Sequence, residues 1–182
     1  MRICRLMVVV VLASLATLAR GAGAQSGTAP ARIPIPYRTY ISVNPLGVPF
    51  DIFSIEVESG IAQGMTLGAA ASHTDFGDQR YSSADFKFRY YPSEIVLRGF
   101  SLGASLGMLR YSDVVGAGQR ESVDSPTLGV LVDYNWLLGA QHRFVVGTGV
   151  GAKRILAGSE ERDRVGLDRA EFTARFTVGI AF

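Results

Sequence analysis

The sequence predicts an all-β protein, folded as a closed antiparallel up-and-down β-barrel of eight strands between residues 38 and 182. The first observation is the last fourteen residues, 169–182, in which apolar residues alternate strictly with polar or small ones. A period of two is typical of a β-strand with two unlike faces. Second, seven earlier segments repeat this alternation, separated by turn residues. Third, no segment of this region combines a sustained 3.6-residue apolar period with helix caps.

The first 24 residues have the three parts of a secretory signal peptide. Two arginines lie within the first five residues, an apolar run covers residues 6–18, and Ala22-Gly23-Ala24 provides a small-residue cleavage site. The apolar run is shorter than the roughly 20 residues that a transmembrane helix needs, which argues against a membrane anchor. Residues 25–37 are rich in Pro, Ala and Gly and are predicted to form a flexible N-terminal segment.

Cleavage after residue 24 changes the charge and the cysteine content of the chain. The whole sequence has 18 Lys and Arg and 16 Asp and Glu residues, and removal of three arginines leaves 15 bases, 16 acids and a net charge of −1. No basic domain remains, so the sequence predicts no binding of nucleic acid. The single cysteine, Cys4, is removed as well, which excludes disulfide and thiol chemistry. Export of such a chain points to the envelope of a diderm bacterium.

Each predicted strand is a run of alternating residues bounded by Gly, Pro, Asn, Asp or Ser. Short turns separate four pairs of strands: Gly47-Val48-Pro49, Gln63-Gly64, Pro92-Ser93-Glu94 and Gly139-Ala140-Gln141. The predicted strands, in order, cover residues 39–46, 53–58, 65–72, 84–90, 99–108, 127–136, 143–153 and 169–182.

The remaining connections are predicted to be longer and more polar. They are residues 73–79, 113–124 and 159–168, after strands 3, 5 and 7. Short connections that alternate with long ones are typical of outer-membrane barrels, which have short periplasmic turns and longer outer loops. Strand 1 is the weakest boundary, because residues 39–61 also fit one long bent strand. We prefer eight strands, because an even number places both termini on the periplasmic side.

The composition of the two strand faces indicates which face is inside. A soluble lipocalin-like barrel would bury the apolar face, whereas a membrane barrel exposes it to lipid. Here the apolar face is nearly free of charge, and the other face mixes small residues with equal numbers of acids and bases. Such charges suit a narrow lumen in which buried ions must pair. We therefore predict a transmembrane barrel with a lumen ion-pair network of Glu56, Glu58, Asp85, Lys87, Arg89, Asp133, Arg143, Lys153, Glu171 and Arg175.

Aromatic residues cluster at the strand ends that this topology places near the periplasm. Membrane barrels carry aromatic girdles at their interfaces, and we predict one formed by Tyr90, Phe100, Tyr134, Trp136 and Phe144. Phe182 lies at the same rim as the last residue of the final strand.

Several segments, together with the terminal alternation, resemble the small eight-stranded outer-membrane barrels, the group that includes the OmpA transmembrane domain and OmpX. They are Asn44-Pro45-Leu46-Gly47, Arg89-Tyr90-Tyr91-Pro92 and Tyr134-Asn135-Trp136-Leu137-Leu138-Gly139. The resemblance implies residence in the outer membrane and recognition of the C-terminal strand by the barrel-assembly machinery, with Phe182 as the assembly signal. It is unspecific for function.

The sequence predicts neither a cofactor nor a metal site. Gly-rich residues 147–153 lack the Gly-Lys-Ser/Thr of a phosphate loop and alternate within a strand. His73 and His142 fall at opposite rims of the barrel and cannot share a metal ion. A lipid-modifying enzyme would need a histidine beside a serine and a carboxylate. His73 is flanked by Ser72 and Asp75, but neighbouring residues in a strand point to opposite faces, and we predict no enzyme activity.

The predicted function is that of a monomeric barrel with a charge-plugged lumen and a structural or surface-interaction role, carried by residues 113–124 and 159–168. Eight strands enclose an interior just wide enough to be filled by side chains. A narrow passive channel remains the alternative, and an outer-membrane lipid-modifying enzyme a less favoured one.

Overall fold

A computed structural model of the protein describes residues 37–115 and 118–182. The predicted signal peptide and nearly all of the flexible N-terminal segment lie outside these residues. The predicted closed barrel of eight antiparallel strands is confirmed, with neighbours in sequence order. The strands are β1 (Thr39–Val43), β2 (Ile52–Ala62), β3 (Met65–Phe76), β4 (Gln79–Tyr90), β5 (Gly99–Val115), β6 (Gln119–Leu138), β7 (Phe144–Ile155) and β8 (Ala170–Ala181), and one helix, α1 (Ser159–Val165), lies between β7 and β8.

β1 and β8 close the barrel through a short antiparallel contact. Their register extends from Tyr40 opposite Ala181 to Val43 opposite Val178. The backbones of Thr39 and Phe182 exchange hydrogen bonds of 3.2 and 2.8 Å beyond it. β1 ends at Val43, before a connection that contains a 3₁₀ turn at Val48–Phe50. β1 and β2 are therefore separate strands rather than one bent strand, and the predicted extension of strand 1 to residue 46 is wrong.

The predicted polar connection at residues 73–79 is mostly strand. β3 continues to Phe76 and β4 begins at Gln79, so that only Gly77 and Asp78 form the turn. Gly77 has a positive φ of 71°, a conformation that glycine adopts without a steric penalty. Asp75 and Arg80 face each other in register and form an ion pair of 2.7 Å. The prediction was wrong because polar residues also pair well at strand ends that are exposed to water.

Residues 113–124 are likewise a hairpin rather than a loop. β5 reaches Val115 and β6 starts at Gln119. β4 pairs with β5 only as far as Ser112, and β7 pairs with β6 only from Thr127 onward. The two strands therefore extend beyond their neighbours as a two-stranded ribbon.

The predicted charged loop at residues 159–168 contains α1. Two glutamates lie in its first turn and two arginines in its last, each at the end that favours its charge. Gly166 ends the helix in the left-handed conformation with φ 65°. α1 contacts β5 and β6 rather than the strands that it connects.

The predicted alternation of short and long connections is wrong. Residues 77–78 join β3 to β4, on the side predicted to be long, whereas residues 91–98 join β4 to β5 on the side predicted to be short. Polar residues that we assigned to loops extend the strands instead. Among the described residues, no helix is long and apolar enough to cross a membrane.

The two ends of the barrel differ in what they hold. The terminal end holds Phe182 and the connections after β2, β4 and β6. The far end holds the connections after β1, β3, β5 and β7.

The barrel is polar inside and apolar outside. Among the described residues, the buried set contains seventeen polar or charged residues and ten hydrophobic ones, while large apolar side chains such as Phe86 and Phe172 are 69% and 89% exposed. A water-soluble barrel shows the opposite distribution, because burial of apolar surface stabilises it.

Candidate functional site

Six charged side chains meet in the middle of the lumen and form the central ionic cluster. The cluster is electrically neutral, with three acids and three bases. All six lie on even-numbered strands, while the odd-numbered strands between them present mainly small residues inward. The members are Glu56 and Glu58 on β2, Lys87 and Arg89 on β4, Asp133 on β6 and Arg175 on β8.

Arg89 is the centre of the cluster and is fully buried. Its guanidinium donates to Asp133 at 2.6 Å, forms an ion pair with Glu58, and lies 3.2 Å from Glu56. The three carboxylates come from two strands that are not neighbours. One buried cation therefore ties two parts of the barrel wall together across the lumen.

Glu56 is shared by three cations. Lys87 donates to one carboxylate oxygen at 2.5 Å, and Arg175 donates to the other at 2.8 Å. Arg89 supplies the third contact. Arg175 also lies 3.9 Å from Asp133. Buried ions that share several partners in this way form a network in which no single pair can be removed without leaving a charge uncompensated.

Neutral side chains add further hydrogen bonds to the cluster. The Tyr40 hydroxyl contacts Glu56 and donates to Glu58 at 2.9 Å, and the Tyr91 hydroxyl donates to Glu58 at 2.8 Å. Asn135 donates to the Tyr91 hydroxyl at 3.0 Å and accepts from Arg175 at 3.0 Å.

Sequence reasoning missed the tyrosines and the role of Asn135. The period of two could have found Tyr40, because it places this residue on the same face as Ser42. Asn135 shares the polar face of its strand with Asp133, so the same alternation pointed to it. Tyr91 follows β4 directly and continues the inward alternation of Lys87 and Arg89 by one step, so the same period pointed to it as well.

Glycines on β7 make room for the cluster. A Cβ atom at Gly147 would lie 2.5 Å from Arg175 Nη1 and 2.5 Å from Asn135 Oδ1, and a Cβ atom at Gly149 would overlap the Asp133 carboxylate. Side chains on neighbouring strands thus fill the space above these glycines. The glycine-rich stretch that superficially suggests a phosphate loop is a packing surface for the ionic cluster.

A second group of charges lies nearer the far end. Lys153 donates to Asp85 at 2.6 Å, and both are buried. Glu171 lies opposite Lys153 in the β7–β8 register and accepts from the Tyr81 hydroxyl at 3.2 Å. These three predicted lumen residues are therefore inside the barrel, apart from the central ionic cluster.

Arg143 does not join either group. The structure places it at the terminal end, just before β7, where its side chain is exposed. Its guanidinium carbon lies 5.4 Å from the centre of the Tyr37 ring, a cation–π arrangement. We expected Arg143 in the lumen because it matched the period of strand 7, but β7 begins only at Phe144.

Apolar side chains are buried toward both ends of the lumen. At the terminal end the connection at residues 91–98 inserts Leu97, which is fully buried with Tyr40, Leu137, Val145 and Ala181. At the far end α1 buries Val165, and Leu109 and Ile155 are buried on their strands. The ionic cluster therefore lies between two apolar layers.

The outward face of the strands forms an apolar belt with charged residues at its edge. On β6 the outward positions are apolar or aromatic from Leu138 to Pro126, and the next one is Asp124. The twelve residue steps from Leu138 to Pro126 cover a height of about 31 Å along the barrel axis, at a rise of about 3.4 Å per residue and a strand tilt of about 40°. Further charged or ionisable residues border the belt on β3, β4, β5 and β7, namely His73, Asp75, Arg80, Arg110 and Arg154.

The residues predicted as an aromatic girdle all lie near the terminal end of this belt. Tyr90, Phe100, Tyr134, Trp136 and Phe144 are between 38% and 46% exposed, and Phe182 is 57% exposed. Phe100 faces Tyr134 across β5 and β6, and the rings of Tyr134 and Trp136 lie 4.7 Å apart.

Beyond the belt at the far end, ion pairs shift the pKa of two exposed carboxyl groups. Arg110 donates two hydrogen bonds of 2.6 Å to Asp124, and this hydrogen bonding lowers the pKa of Asp124 below its usual value. The hydrogen bond from Arg80 likewise lowers the pKa of Asp75. Both carboxylates are therefore charged at neutral pH.

The two histidines lie far apart, His73 at the far end of β3 and His142 in the turn after β6 at the terminal end. In the described part of the chain, no group of three or more His, Cys, Asp or Glu residues is arranged so that it could hold a metal ion. Ser72 and His73 lie on opposite faces of β3, but His73 Nδ1 lies 2.8 Å from the Ser82 hydroxyl on β4. Sequence reasoning missed this pair because it considered only neighbours in sequence.

Comparison with known proteins identifies one similar structure. No protein-family model matches the chain, and no curated protein matches it either. Among solved structures, the backbone structure of the Yersinia pestis outer membrane protein Ail in a phospholipid bilayer nanodisc is similar, with a TM-score of 0.42 and 13% sequence identity. The match covers 80% of this chain and 98% of that one. This similarity is too low to transfer a function.

Proposed function

We propose that the protein is an integral outer-membrane β-barrel whose lumen is plugged by charge. The observation that carries this proposal is the inverted distribution of polarity, with the neutral ionic cluster inside and the apolar belt outside. Closed barrels satisfy all strand hydrogen bonds and can therefore exist in lipid. The belt on β6, about 31 Å high from its strand geometry, is tall enough to cover the apolar band of roughly 25 Å that membrane barrels present to lipid.

In this proposal the terminal end faces the periplasm. The aromatic side chains near that end are suited to the inner interface of the bilayer. The barrel-assembly machinery would recognise β8 with Phe182 as the assembly signal. The barrel has no free sheet edge within the belt to pair with a second copy, which supports a monomer.

The role that the architecture supports best is structural or surface interaction. Two features rise beyond the belt at the far end, the β5–β6 ribbon and the connection that contains α1. Both expose charges of either sign, among them Arg120 and Glu121 on the ribbon and Glu161 and Arg164 on α1. A mixed-charge surface on an extended ribbon suits contacts with other macromolecules outside the cell.

Fractionation and gel mobility test the membrane assignment. We expect the mature protein in the outer-membrane fraction, and we expect an unheated sample to migrate faster than a boiled one, because a closed barrel stays compact in detergent. A protein recovered from the soluble periplasm, with equal mobility before and after boiling, would contradict the proposal.

Conductance measurements test the plug against the alternative of a narrow channel. We expect purified protein in planar bilayers to give no discrete conductance steps, because the ionic cluster and the two apolar layers fill the lumen. A porin of about sixteen strands, which leaves an aqueous channel, is the positive control. Reproducible steps from the wild-type protein, at a level that depends on protein concentration, would favour the channel.

A further inference from the structure

A row of polar side chains crosses the outward face of the barrel at the far edge of the apolar belt. The registers place His73, Ser82, Arg110 and Asp124 side by side on four successive strands. His73 Nδ1 and the Ser82 hydroxyl lie 2.8 Å apart, and Arg110 is held by Asp124 through two hydrogen bonds. Neither His73 nor Ser82 contributes to the lumen.

Directly below this row the outward face has a trough of about 680 Å³. Three alanines form its floor, Ala69 and Ala71 on β3 and Ala84 on β4. Larger side chains on β2, β4 and β5 form its walls, among them Ile55, Val57, Phe86, Leu106 and Met108. The volume lies within the range of ligand pockets, roughly 300–1,000 Å³.

The His73–Ser82 pair has one hydrogen-bond donor to spare. If His73 Nδ1–H donates to Ser82, the serine hydroxyl hydrogen can point elsewhere. If the serine donates to Nδ1, the other ring nitrogen of His73 carries the hydrogen. In either tautomer one donor remains, so the pair can bind an acceptor oxygen at the mouth of the trough.

We propose that this trough binds one ester-linked acyl chain of a bilayer phospholipid, with an ester carbonyl oxygen accepting a hydrogen bond from the His73–Ser82 pair. This proposal rests on the proposed function, because it requires the belt to lie in lipid. The trough is continuous with the lipid-facing belt, so its occupant must be apolar and must come from the bilayer. The polar row is the place where such a chain would present its first polar atoms, which are ester carbonyls.

The floor of the trough explains why one chain would stay there longer than lipids elsewhere on the belt. Alanines let the chain approach the backbone of β3 and β4, and the larger walls contact it on both sides. Close packing of this kind multiplies the dispersion contacts of the chain.

Native mass spectrometry of the reconstituted protein tests the site. The wild-type protein is inserted into bilayers of ester-linked dioleoylphosphatidylcholine, or of its ether-linked dialkyl analogue, and is then extracted into mild detergent. We expect one retained lipid per protein from the ester bilayer and roughly tenfold lower occupancy from the ether bilayer, because an ether oxygen is the weaker acceptor. Ala84→Phe fills the trough and should lower retention of the ester lipid by a similar factor.

Ala174→Phe is the matched control, because Ala174 is an exposed outward residue on β8, outside the trough. It should retain lipid like the wild-type protein. Ala71→Leu serves as a second trough variant if Ala84→Phe does not give the fast-migrating folded band. An inserted wild-type protein without retained lipid would overturn the lipid-binding proposal but not the proposed function. Equal retention by Ala84→Phe and Ala174→Phe would have the same consequence. Equal retention of ester and ether lipids would overturn the role of the His73–Ser82 pair. Failure of the wild-type protein to insert would overturn the proposed function as well.

Discussion

Arg89→Met is expected to lower the free energy of unfolding by about 3–5 kcal/mol, the range for removal of one partner from a buried ionic network. Arg89 is fully buried and compensates Glu56, Glu58 and Asp133 at once. Its loss leaves the central ionic cluster with three acids and only two bases. Methionine keeps an unbranched side chain as far as the position of Nε, so the substitution removes mainly the charged end of the guanidinium and its hydrogen bonds. Urea unfolding of the protein in lipid vesicles, followed by Trp136 fluorescence, measures the change.

Arg110→Met provides the matched control, because it removes the same kind of side chain from an exposed ion pair. Arg110 and Asp124 retain 67% and 50% of their side-chain exposure. Solvent screening makes such a pair contribute little to stability, so this variant should unfold close to the wild-type urea concentration. Equal effects of the two substitutions would mean that the lumen cluster does not stabilise the barrel.

The fold could be predicted from the sequence because the period of two is imposed by the geometry of a strand between lipid and a narrow lumen. Outward positions within the belt are almost all apolar, because they face lipid, so the alternation persists through each crossing. The constraint ends where the strands leave the belt. Residues 73–79 and 113–124 are polar on both faces, and polarity alone does not separate a loop from a strand exposed to water.

The lumen cluster was only partly predictable. Alternation shows which face of a strand a residue lies on, but not how far along the barrel axis it lies. Asp85 and Lys153 share the inward face with Glu56 and Arg175, yet they form a pair of their own nearer the far end. The position along the barrel axis depends on the stagger between strands, which only the strand registers show. Arg143 fits the period but precedes its strand, and no property of the residue itself reveals this.

Side-chain pairs between different strands could not be predicted from the sequence either. His73 and Ser82 are separated by a turn, and their pairing follows from the Gly77-Asp78 reversal that sequence reasoning replaced with a longer loop. With the correct turn, the same period of two places both residues opposite each other on the outward face. The His73–Ser82 pair was therefore missed because its position depends on the register across a turn.

Val132→Arg is expected to lower the free energy of unfolding in bilayers by about 2–4 kcal/mol, the cost of a basic side chain on the lipid face near the midplane. Val132 lies halfway between Leu138 and Pro126 on the outward face of β6 and is 43% exposed. It faces Leu102 on one side and Val150 on the other, so no acidic residue is within its row to compensate the charge. Urea titration in vesicles measures the loss.

The same substitution outside the belt separates lipid exposure from the change of side chain. Val48 is 63% exposed in the 3₁₀ turn at the far end, where an arginine remains in water. Val48→Arg should therefore leave the unfolding midpoint almost unchanged. In a barrel with a solvated outer face, Val132→Arg would be as mild as Val48→Arg, because the guanidinium would keep its hydration at both positions. The difference in the free energy of unfolding between the two variants thus reports whether lipid or water surrounds the belt. A difference near zero would mean that water rather than lipid contacts β6.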